Sequence, residues 1–544
     1  MDLLIRVRGV TVSVFTMLGK IVSITPALAS FPILFLSQSA VALEASECLV
    51  APMAVGATIS ASPISPTPLV EVASTSAEDI AAAVNEIIEN NGGTLYFPKG
   101  SYTVDYLGAN NTSLTLENLD EFKLVGDGRE NTILKLEAND DAYGKQIRNI
   151  QIIGANRVEI ADITIEGNRE FYRPPEEAKY PIGEVQNLVN NEAEGPVVAR
   201  AFANKEQQST LFLRNIAEST YIHDSTFHEA GGDGINVANS PNLVVQNNIF
   251  DNNDRNGITI GGIRGTERSE NVLIENNFFG PGIDTQQIDL ELHGPTSSTE
   301  DVNIRNSNVR VINNTFAQRL VEDTVDLDQY GMTISEVDRV ILEHNHFNNN
   351  PLFGIYASNV RIYNNKGIGG LRFIRKWSSY DIAGNTFNLL PITRRHWPAE
   401  VNGGLLFQET AGEDFDTLVF RHNKITSTNV DWPIYLHGVN SGHLESNTFD
   451  VTGAKDTVRI ESHTLLSSVN LIGNSFSESD VSLEHFGLGA IQLTSNFSDC
   501  PLTSSNEPAA ATANEAPATS AKAPAGAQVT KPRTPAIELL EHQP

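Results

Sequence analysis

One short pattern recurs along most of this chain: two alternating apolar positions, then an asparagine, then a phenylalanine two residues later. Its copies include VVQNNIF, VLIENNFF, VRVINNTF, VILEHNHF, YDIAGNTF and VNLIGNSF. The matched asparagines are Asn248, Asn277, Asn314, Asn345, Asn365, Asn385, Asn423, Asn447 and Asn474. They are 29, 37, 31, 20, 20, 38, 24 and 27 residues apart. A fixed local pattern at an irregular period predicts a solenoid whose coils carry loops of variable length.

The apolar alternation makes this a solenoid of strands. A short strand cannot bury its apolar face alone, whereas stacked coils bury a continuous core and pair their backbones with one another. An asparagine at the same place in every coil can hydrogen-bond up the stack, so we assign these asparagines a structural role. The alternating apolar pattern and the small share of predicted helix exclude an α-solenoid. The uneven spacing of the matched asparagines excludes a propeller, whose blades have a nearly constant length.

The patterned body begins with STSAEDIAAAVNEIIENNGG, which predicts an amphipathic helix over 76–91. Ser76 followed by Asp79 resembles a capping box, and Gly92-Gly93 ends the helix. The apolar stripe consists of Ile80, Val84, Ile87 and Ile88. A strand, a turn and a second strand follow in TLYFPKGSYTV.

Together, this helix, the GGTLYFPKGSYTV segment, LVGDGRENTILKL and the Asn-x-Phe coils resemble the right-handed parallel β-helix of the pectate-lyase-like superfamily. The resemblance covers roughly residues 75–497. It implies an all-β fold with an N-terminal amphipathic capping helix. It leaves activity open, since the superfamily includes lyases, epimerases, polygalacturonases, tailspikes and adhesins.

The two ends of the chain differ from this body. Residues 1–42 have basic residues, an apolar run and a small-residue end at Ala40-Val41-Ala42, which predicts a signal peptide and a secreted protein, extracellular or periplasmic. The segment 43–74 is a predicted linker, 75–500 the β-helix domain with a loop insertion at 169–210, and 501–544 a disordered tail rich in Ala, Pro and Thr. Cys48 and Cys500 either form one disulfide or remain thiols.

The formal net charge of the chain is -30, from 37 Lys and Arg against 67 Asp and Glu. Such a charge argues against a nucleic-acid partner. An anionic substrate would be repelled at long range and would need local arginines. Once a signal peptide is removed, no stretch predicts a membrane span, and we expect a monomer.

A second set of strands follows the Asn-x-Phe turns: GINVA, GITIG, IDLEL, GMTIS, GIYAS, GLRFI, GLLFQ, PIYLH and TVRIE. Because side chains alternate between the two faces of a strand, we expect one residue of each strand to point inward. These residues are Ile235, Ile258, Ile288, Met332, Ile355, Leu371, Leu405, Ile434 and Val458. The predicted outward column is Asn236, Thr259, Asp289, Thr333, Tyr356, Arg372, Leu406, Tyr435 and Arg459. A second outward column holds Glu291, Gln408, His437 and Glu461.

Charged residues in three consecutive coils are expected to converge on this outward face. Asp233 and Arg255 precede neighbouring strands, and Asp289 and Glu291 lie on the third. The run GGDGI, DRNGI and IDLE resembles a set found in secreted β-helix proteins, which commonly ends Gly-Ile-Asp-Ile-Glu-Pro. Here Gln287 and Leu292 replace that glycine and proline. We take Asp233, Arg255, Asp289 and Glu291 as candidate catalytic residues.

Three readings of this face stay open. In a lyase or C5-epimerase, an arginine neutralises a uronate carboxylate and another group removes the C5 proton. In a glycoside hydrolase, paired carboxylates act as acid and base. A carbohydrate-binding or adhesin β-helix would carry no reaction at all.

The first reading, on a uronic-acid polysaccharide, is our expectation. The predicted substrate contacts are Asn236, Tyr356, Arg372, Arg375, Tyr435 and His437. No cofactor is certain, and calcium is the metal ion that clustered carboxylates would suit.

Overall fold

The computed structural model describes residues 3–7, 10–14, 59, 61, 63–105, 112–137, 148–169, 208–262, 267–283, 285–292, 306–318, 330–374, 377–389, 404–408, 415–454, 457–462, 468–477, 482–487, 490–494, 497–498 and 503–505. Both cysteines, Arg375, most of the predicted signal peptide and nearly all of the loop insertion and tail lie outside this set. Within it, no helix is long and apolar enough to cross a membrane.

Most described strands stack in parallel on three faces of a coil, as a parallel β-helix requires. The first sheet contains β3 (Leu69–Glu71), β4 (Gly93–Phe97), β7 (Glu121–Gly126), β10 (Arg157–Ala161), β13 (Ser219–His223), β16 (Leu243–Gln246), β19 (Glu270–Glu275), β22 (Asn306–Ile312), β25 (Val337–Glu343), β27 (Ser358–Tyr363), β29 (Trp377–Ala383), β32 (Phe415–Arg421), β35 (Val439–Glu445), β38 (Ser468–Ile472) and β41 (Ala490–Thr494).

The second sheet contains β6 (Thr112–Glu117), β9 (Arg148–Ile153), β12 (Ser209–Arg214), β15 (Asp233–Ala238), β18 (Ile258–Gly261), β21 (Gln286–Leu290), β24 (Tyr330–Ser335), β26 (Leu352–Ile355), β28 (Leu371–Ile374), β31 (Leu405–Gln408), β34 (Ile434–His437), β37 (Val458–Ser462), β40 (Ser482–Gly487) and β43 (Thr503–Ser505).

The third face is built from shorter strands in two groups. The first group is β5 (Gly100–Asp105), β8 (Thr132–Glu137), β11 (Thr164–Glu166), β14 (Thr226–His228), β17 (Ile249–Asp251), β20 (Phe278–Phe279) and β23 (Thr315–Phe316). The second is β30 (Thr386–Leu389), β33 (Lys424–Thr428), β36 (Thr448–Thr452), β39 (Ser475–Phe476) and β42 (Phe497–Ser498). Isolated bridges at His346 and Ile368 link the two groups. Separately, β1 (Leu3–Val7) and β2 (Val10–Val14) form an antiparallel pair.

One coil illustrates the path of the chain. From β16 it turns at Asn248 into β17, continues to β18 on the second sheet and returns to the first sheet at β19. The all-β parallel β-helix expected from the repeats is therefore confirmed.

The predicted helix is α1 (Ala77–Glu89), and it contacts β3, β4, β5 and β6. Ser76 is its N-cap, and the Ser76 hydroxyl accepts from the Asp79 backbone N–H at 3.2 Å. Ile88, predicted on the apolar stripe, is instead 43% exposed. It follows Ile87 by one residue, which rotates it about 100° away from the buried face.

Two predicted boundaries need correction. β3 lies within the segment assigned to the linker, because Val70 and Val72 are buried and β3 pairs with β4. The tail assigned as disordered from 501 begins with β43, which pairs with β40 and so satisfies an otherwise open sheet edge.

The nine matched asparagines form a continuous buried ladder between the first sheet and the third face. Asn345 is representative: its Oδ1 accepts from the backbone N and the Nδ2 of Asn314 at 2.9 and 3.0 Å. Its Nδ2 donates to the Val311 carbonyl at 2.7 Å and to Asn365 Oδ1 at 2.9 Å. Each rung thus satisfies buried backbone and side-chain groups of neighbouring coils, which confirms the structural role.

Phenylalanines from five successive coils stack inside the β-helix. The rings of Phe227, Phe250, Phe279, Phe316 and Phe347 lie in sequence with centroids 4.6 to 5.4 Å apart and planes within 14° of parallel. All five are fully buried. Stacked rings at the coil repeat keep successive coils in register while burying large apolar areas.

The outer surface of the first sheet holds a buried carboxylate that binds the segment preceding β3. Glu159 is 1% exposed, and it accepts from the Ile64 backbone N–H at 2.5 Å. Lys123 Nζ lies 2.8 Å from the Glu159 carboxylate. His223 contacts Glu159 through Nε2 at 3.3 Å and Asp224 through Nδ1 at 2.8 Å. Only a doubly protonated imidazole can donate to both carboxylates.

The ladder predicts a large loss for a single amide. Replacing Asn345 with Ala leaves the Asn314 backbone N–H and amide buried without their acceptor, which costs about 3 kcal/mol or more of unfolding free energy. The exposed Asn388 is the control, and Asn388→Ala should cost less than about 0.5 kcal/mol. Urea unfolding measures both, and similar losses would contradict the role of the ladder.

The His223 contacts predict a pH-dependent stability. Burial alone would lower the pKa of His223, but hydrogen bonds to Glu159 and Asp224 outweigh it and raise that pKa. Its stabilisation is therefore full below the unfolded pKa of about 6.5 and is lost as pH rises through the higher folded pKa. The stability difference between wild type and His223→Gln should shrink over that window.

The control is the exposed Asn388, which does not titrate: Asn388→Gln should show no such trend in thermal melts taken across the pH series. A His223→Gln difference that stays constant with pH would contradict the charged contact.

Candidate active site

The outward residues of the second sheet form one column across the coils. Strand registers align Asn236, Thr259, Asp289, Thr333, Phe353, Arg372, Leu406, Tyr435 and Arg459. Eight of these nine positions are the predicted ones. Adjacent members are about 4.8 Å apart.

Tyr356 is the exception, and its predicted position was wrong. The register of β26 differs by three residues from the predicted one, so Leu352 points inward and Phe353 takes the place in the column. Tyr356 follows the strand with φ of +53°, a left-handed turn conformation. Gly354 explains the shift, because a Cβ at this inward position would lie 2.3 Å from the Phe373 ring. Ile355, expected inward, instead aligns with Ser335 and Ile374.

Three of the predicted catalytic residues meet in one charged cluster. Arg255 Nη1 donates to both carboxylate oxygens of Asp233, at 3.1 and 3.0 Å. Its Nη2 lies 3.8 Å from Asp289 Oδ2. The side chains of Asp233, Arg255 and Asp289 are 0%, 12% and 3% exposed. The convergence expected from the sequence is therefore present across three consecutive coils, with one guanidinium between two carboxylates.

Asn256 connects the residues of this cluster, although it was not among the predicted site residues. Its Nδ2 donates to Thr259 Oγ1 at 2.9 Å and to Asp289 Oδ2 at 3.3 Å. Its backbone N–H donates to Asp233 Oδ1 at 3.3 Å. Its own Oδ1 accepts from Thr285 Oγ1 at 2.6 Å. The position directly after Arg255 in DRNGI was the available signal.

Burial changes the acid-base character of Asp233. Desolvation raises the pKa of Asp233, and Arg255, Thr259, Asn236 and the Asn256 backbone offset part of that rise. Asn236 Nδ2 donates to Asp233 Oδ2 at 3.0 Å, so this predicted substrate contact also positions an acid. A carboxyl with a raised pKa can retain or return a proton near neutral pH.

Glu291 lies beside the cluster without joining it. Its backbone N–H donates to the Ile260 carbonyl at 3.1 Å, which continues the register of β21 by one residue. Its side chain is half-buried, and none of the described contacts connects its carboxylate to Arg255. Gln287, which replaces the glycine of the related set, is fully buried and donates from Nε2 to the Ala317 carbonyl at 3.1 Å.

Arg372 supplies a second positive charge on the same column, three coils beyond Asp289. Its guanidinium carbon lies 5.9 Å from the Phe353 ring centroid, and Phe353 stacks on Tyr330 with centroids 4.9 Å apart. Burial lowers the pKa of Arg372 to about 10. A desolvated guanidinium gains more from an anionic ligand than an exposed one does.

Aromatic side chains continue the column toward the later coils. Tyr435 lies 5.8 Å from Trp432 and 5.9 Å from His437 between ring centroids. The Arg459 guanidinium carbon sits 4.2 Å from the Trp432 ring centroid. The predicted contacts Tyr435 and His437 are thus neighbours, whereas Trp432 was not predicted.

Calcium does not fit the cluster. The space between Asp233 and Asp289 is filled by the Arg255 guanidinium, which already supplies the positive charge that a cation would bring. Throughout the described part of the chain, no group of three or more His, Cys, Asp or Glu side chains could hold a metal ion.

Comparisons with known proteins agree with this architecture. A family model described as rhamnogalacturonase A/epimerase, pectate lyase-like, matches residues 71–284. Mannuronan C5-epimerase AlgE1 of Azotobacter vinelandii is 26% identical over 193 residues, which are 33% of this chain and 13% of that protein. Alginate lyase 7 of the same organism is 28% identical over 190 residues, 33% of this chain and 21% of that protein.

The chain therefore spans only a small part of these relatives. Among solved structures, the A-module of A. vinelandii mannuronan C-5 epimerase AlgE6 is 15% identical, covers 80% of this chain and 97% of its own, and has a TM-score of 0.39.

The cluster predicts an asymmetric response to mutation. Arg255→Ala leaves two carboxylates buried together and should cost about 3–5 kcal/mol of unfolding free energy. Adding Asp233→Asn should recover part of that loss, because one uncompensated charge is removed. Arg157→Ala, which breaks a half-exposed pair with Glu121, is the control and should cost less than about 1 kcal/mol. Equal losses for the two arginines in urea unfolding would contradict a buried cluster.

Proposed function

Since the chain belongs to the pectate-lyase-like superfamily of parallel β-helix proteins, we propose that it is a secreted enzyme acting on an extracellular uronic-acid polysaccharide. One observation carries the proposal: Asp233, Arg255 and Asp289 converge from three coils on the outward face of the second sheet. The aligned relatives named as mannuronan epimerase and alginate lyase support the same substrate class.

The charges on this face suit a uronate. The protein as a whole repels anions, with a net charge of -30, yet Arg255 lies beside Asp289 of the outward column and Arg372 lies on that column three coils farther on. A guanidinium that binds the substrate carboxylate withdraws charge from it and so acidifies the C5 proton. The aromatic residues Trp432 and Tyr435 offer flat surfaces for sugar rings farther along the groove.

In the proposed reaction, Asp289 takes the C5 proton and Asp233, whose pKa is raised, supplies one. Delivery of that proton to the glycosidic oxygen at C4 breaks the C4–O bond and leaves a C4–C5 double bond, which is elimination. Delivery to C5 from the opposite face is epimerisation. Both carboxylates belong to the floor of the sheet and so lie on one side of a substrate bound over it, and a base and an acid on the same side favour elimination.

A glycoside hydrolase is the second candidate. The raised pKa of Asp233 beside a second carboxylate also suits the acid and base of glycoside hydrolysis. In that reaction water attacks the anomeric carbon, so the product carries a reducing end and no double bond.

The proposal predicts that mannuronan, alginate or polygalacturonate gains ultraviolet absorbance from unsaturated ends when incubated with the protein. Asp289→Asn and Arg255→Lys should lower the rate by about 100-fold or more, because each removes a group from the reacting centre. Asp450→Asn, at an exposed position on the third face, and Arg157→Lys are the matched controls.

Reducing ends without absorbance would favour the hydrolase. A changed uronate composition without cleavage would favour the epimerase. The absence of all three products across uronans, glycosaminoglycans and neutral glycans would refute an enzyme and leave binding as the remaining account.

A further inference from the structure

Arg148, at the start of β9, is a half-buried cation that the proposed reaction does not use. Its Nη1 donates to Gln151 Oε1 at 2.6 Å, and its guanidinium carbon lies 3.7 Å from the Phe212 ring centroid. Its Nε is buried and has no hydrogen-bond partner among the described residues. Nor does any described carboxylate form an ion pair with it. A half-buried arginine of this kind in an acidic protein has a partly desolvated charge available to a ligand.

A second arginine increases the positive potential at this point. Arg214, on the adjacent strand β12, contacts Glu267 through Nη2 at 2.5 Å, and its buried Nε also has no partner in the described part of the chain. Burial, together with the nearby charge of Arg214, lowers the pKa of Arg148 to about 10. Among the described residues, Arg214 contacts one carboxylate and Arg148 contacts none, so the two guanidiniums together carry a net positive charge.

The strand register relates this position to the charged cluster. Arg148 aligns with Ser209, and Ser209 aligns with Asp233. Two coil steps therefore separate Arg148 from Asp233, about 10 Å along the groove. Phe212, under the Arg148 guanidinium, aligns directly with Asn236. Because the guanidinium contacts Gln151 and Phe212, both on the outward face, it lies over the same face as the cluster.

We propose that Arg148, supported by Phe212 and Arg214, forms an anion-binding position that recognises a substrate carboxylate on the N-terminal side of the cluster. This assignment rests on the proposed function for the identity of the anion. It also gives the groove a charge pattern: arginines over phenylalanine rings lie on both sides of the acidic centre, Arg148 over Phe212 and Arg372 over Phe353.

The chemistry at this position suits a carboxylate on a sugar. A planar guanidinium can donate two parallel hydrogen bonds to the two carboxylate oxygens, and the ring beneath it fixes its plane. A sugar residue advances along a glycan by roughly the same distance as one coil. The position therefore engages a uronate that is not the one reacting, and it selects chains long enough to reach it.

The test compares initial rates on oligouronates of increasing length for wild type, Arg148→Gln, Arg148→Lys and the control Arg157→Gln. For Arg148→Gln, KM should rise about tenfold or more on chains that reach the position, because a charge-assisted pair is lost. On shorter chains KM should not change, and kcat should be unchanged throughout. Arg148→Lys keeps the charge but loses the planar guanidinium. Its KM on the longer chains should therefore lie between the values for wild type and Arg148→Gln.

Matching thermal melts for the four proteins establish that the change is in recognition. Unchanged KM at every length, with an active enzyme, would overturn this position and leave the proposed function intact. An equal rise in KM on all chain lengths would also overturn it, because Arg148 would then act only through its long-range electrostatic field and not through contact at this position. If Arg148→Gln raised KM more on a sulfated glycan than on a uronan, the bound anion would not be a carboxylate. Wild type that turns over no uronan would refute the proposed function, and this assignment with it.

Discussion

The side-chain hydrogen bonds between successive asparagines are the constraint on which the rest of the structure depends. Each coil turns sharply between the first sheet and the third face, where backbone groups are buried and cannot pair within a sheet. An amide at that turn accepts from one coil and donates to the next, so the stack continues without water. Because each rung needs only its neighbours, the connecting loops vary freely in length while strand registers on the second sheet are preserved.

That preserved register is what allows a few charges to act together. Asp233, Arg255 and Asp289 belong to different coils, yet the spacing between coils brings them within contact distance. Burying three charges is costly, and removing one partner costs more than the group contributed. Asn256 and Asn236 lower that cost by donating to the carboxylates, so polar residues near the cluster position its acids.

The repeats predict the fold and eight of the nine outward positions, because inward apolar residues and strand alternation follow directly from local sequence. The exception is the coil of Tyr356, where Gly354 occupies an inward position and the register differs by three residues from the predicted one. Asn256 and Arg148 were not predicted as site residues, for a different reason. The partner of Asn256 is Asp289, 33 residues farther along the chain, and the partner of Arg148 is Phe212, 64 residues farther along. Both partners lie on other coils, and no local pattern encodes such a distance. Predictions on Arg375, the disulfide and the signal peptide fall outside the described residues.

The account holds that the converged charges abstract a proton from C5 of a uronate. Loss of the C5 proton, followed by NMR of a uronan incubated with the protein in heavy water, tests this step apart from the product that follows it. With wild type we predict that the C5 proton is lost, replaced by deuterium on epimerisation or by a C4–C5 double bond on elimination, and with Asp289→Asn we predict that it is retained at the background level. Cleavage of the chain with no deuterium at C5 and no loss of the C5 proton would contradict it.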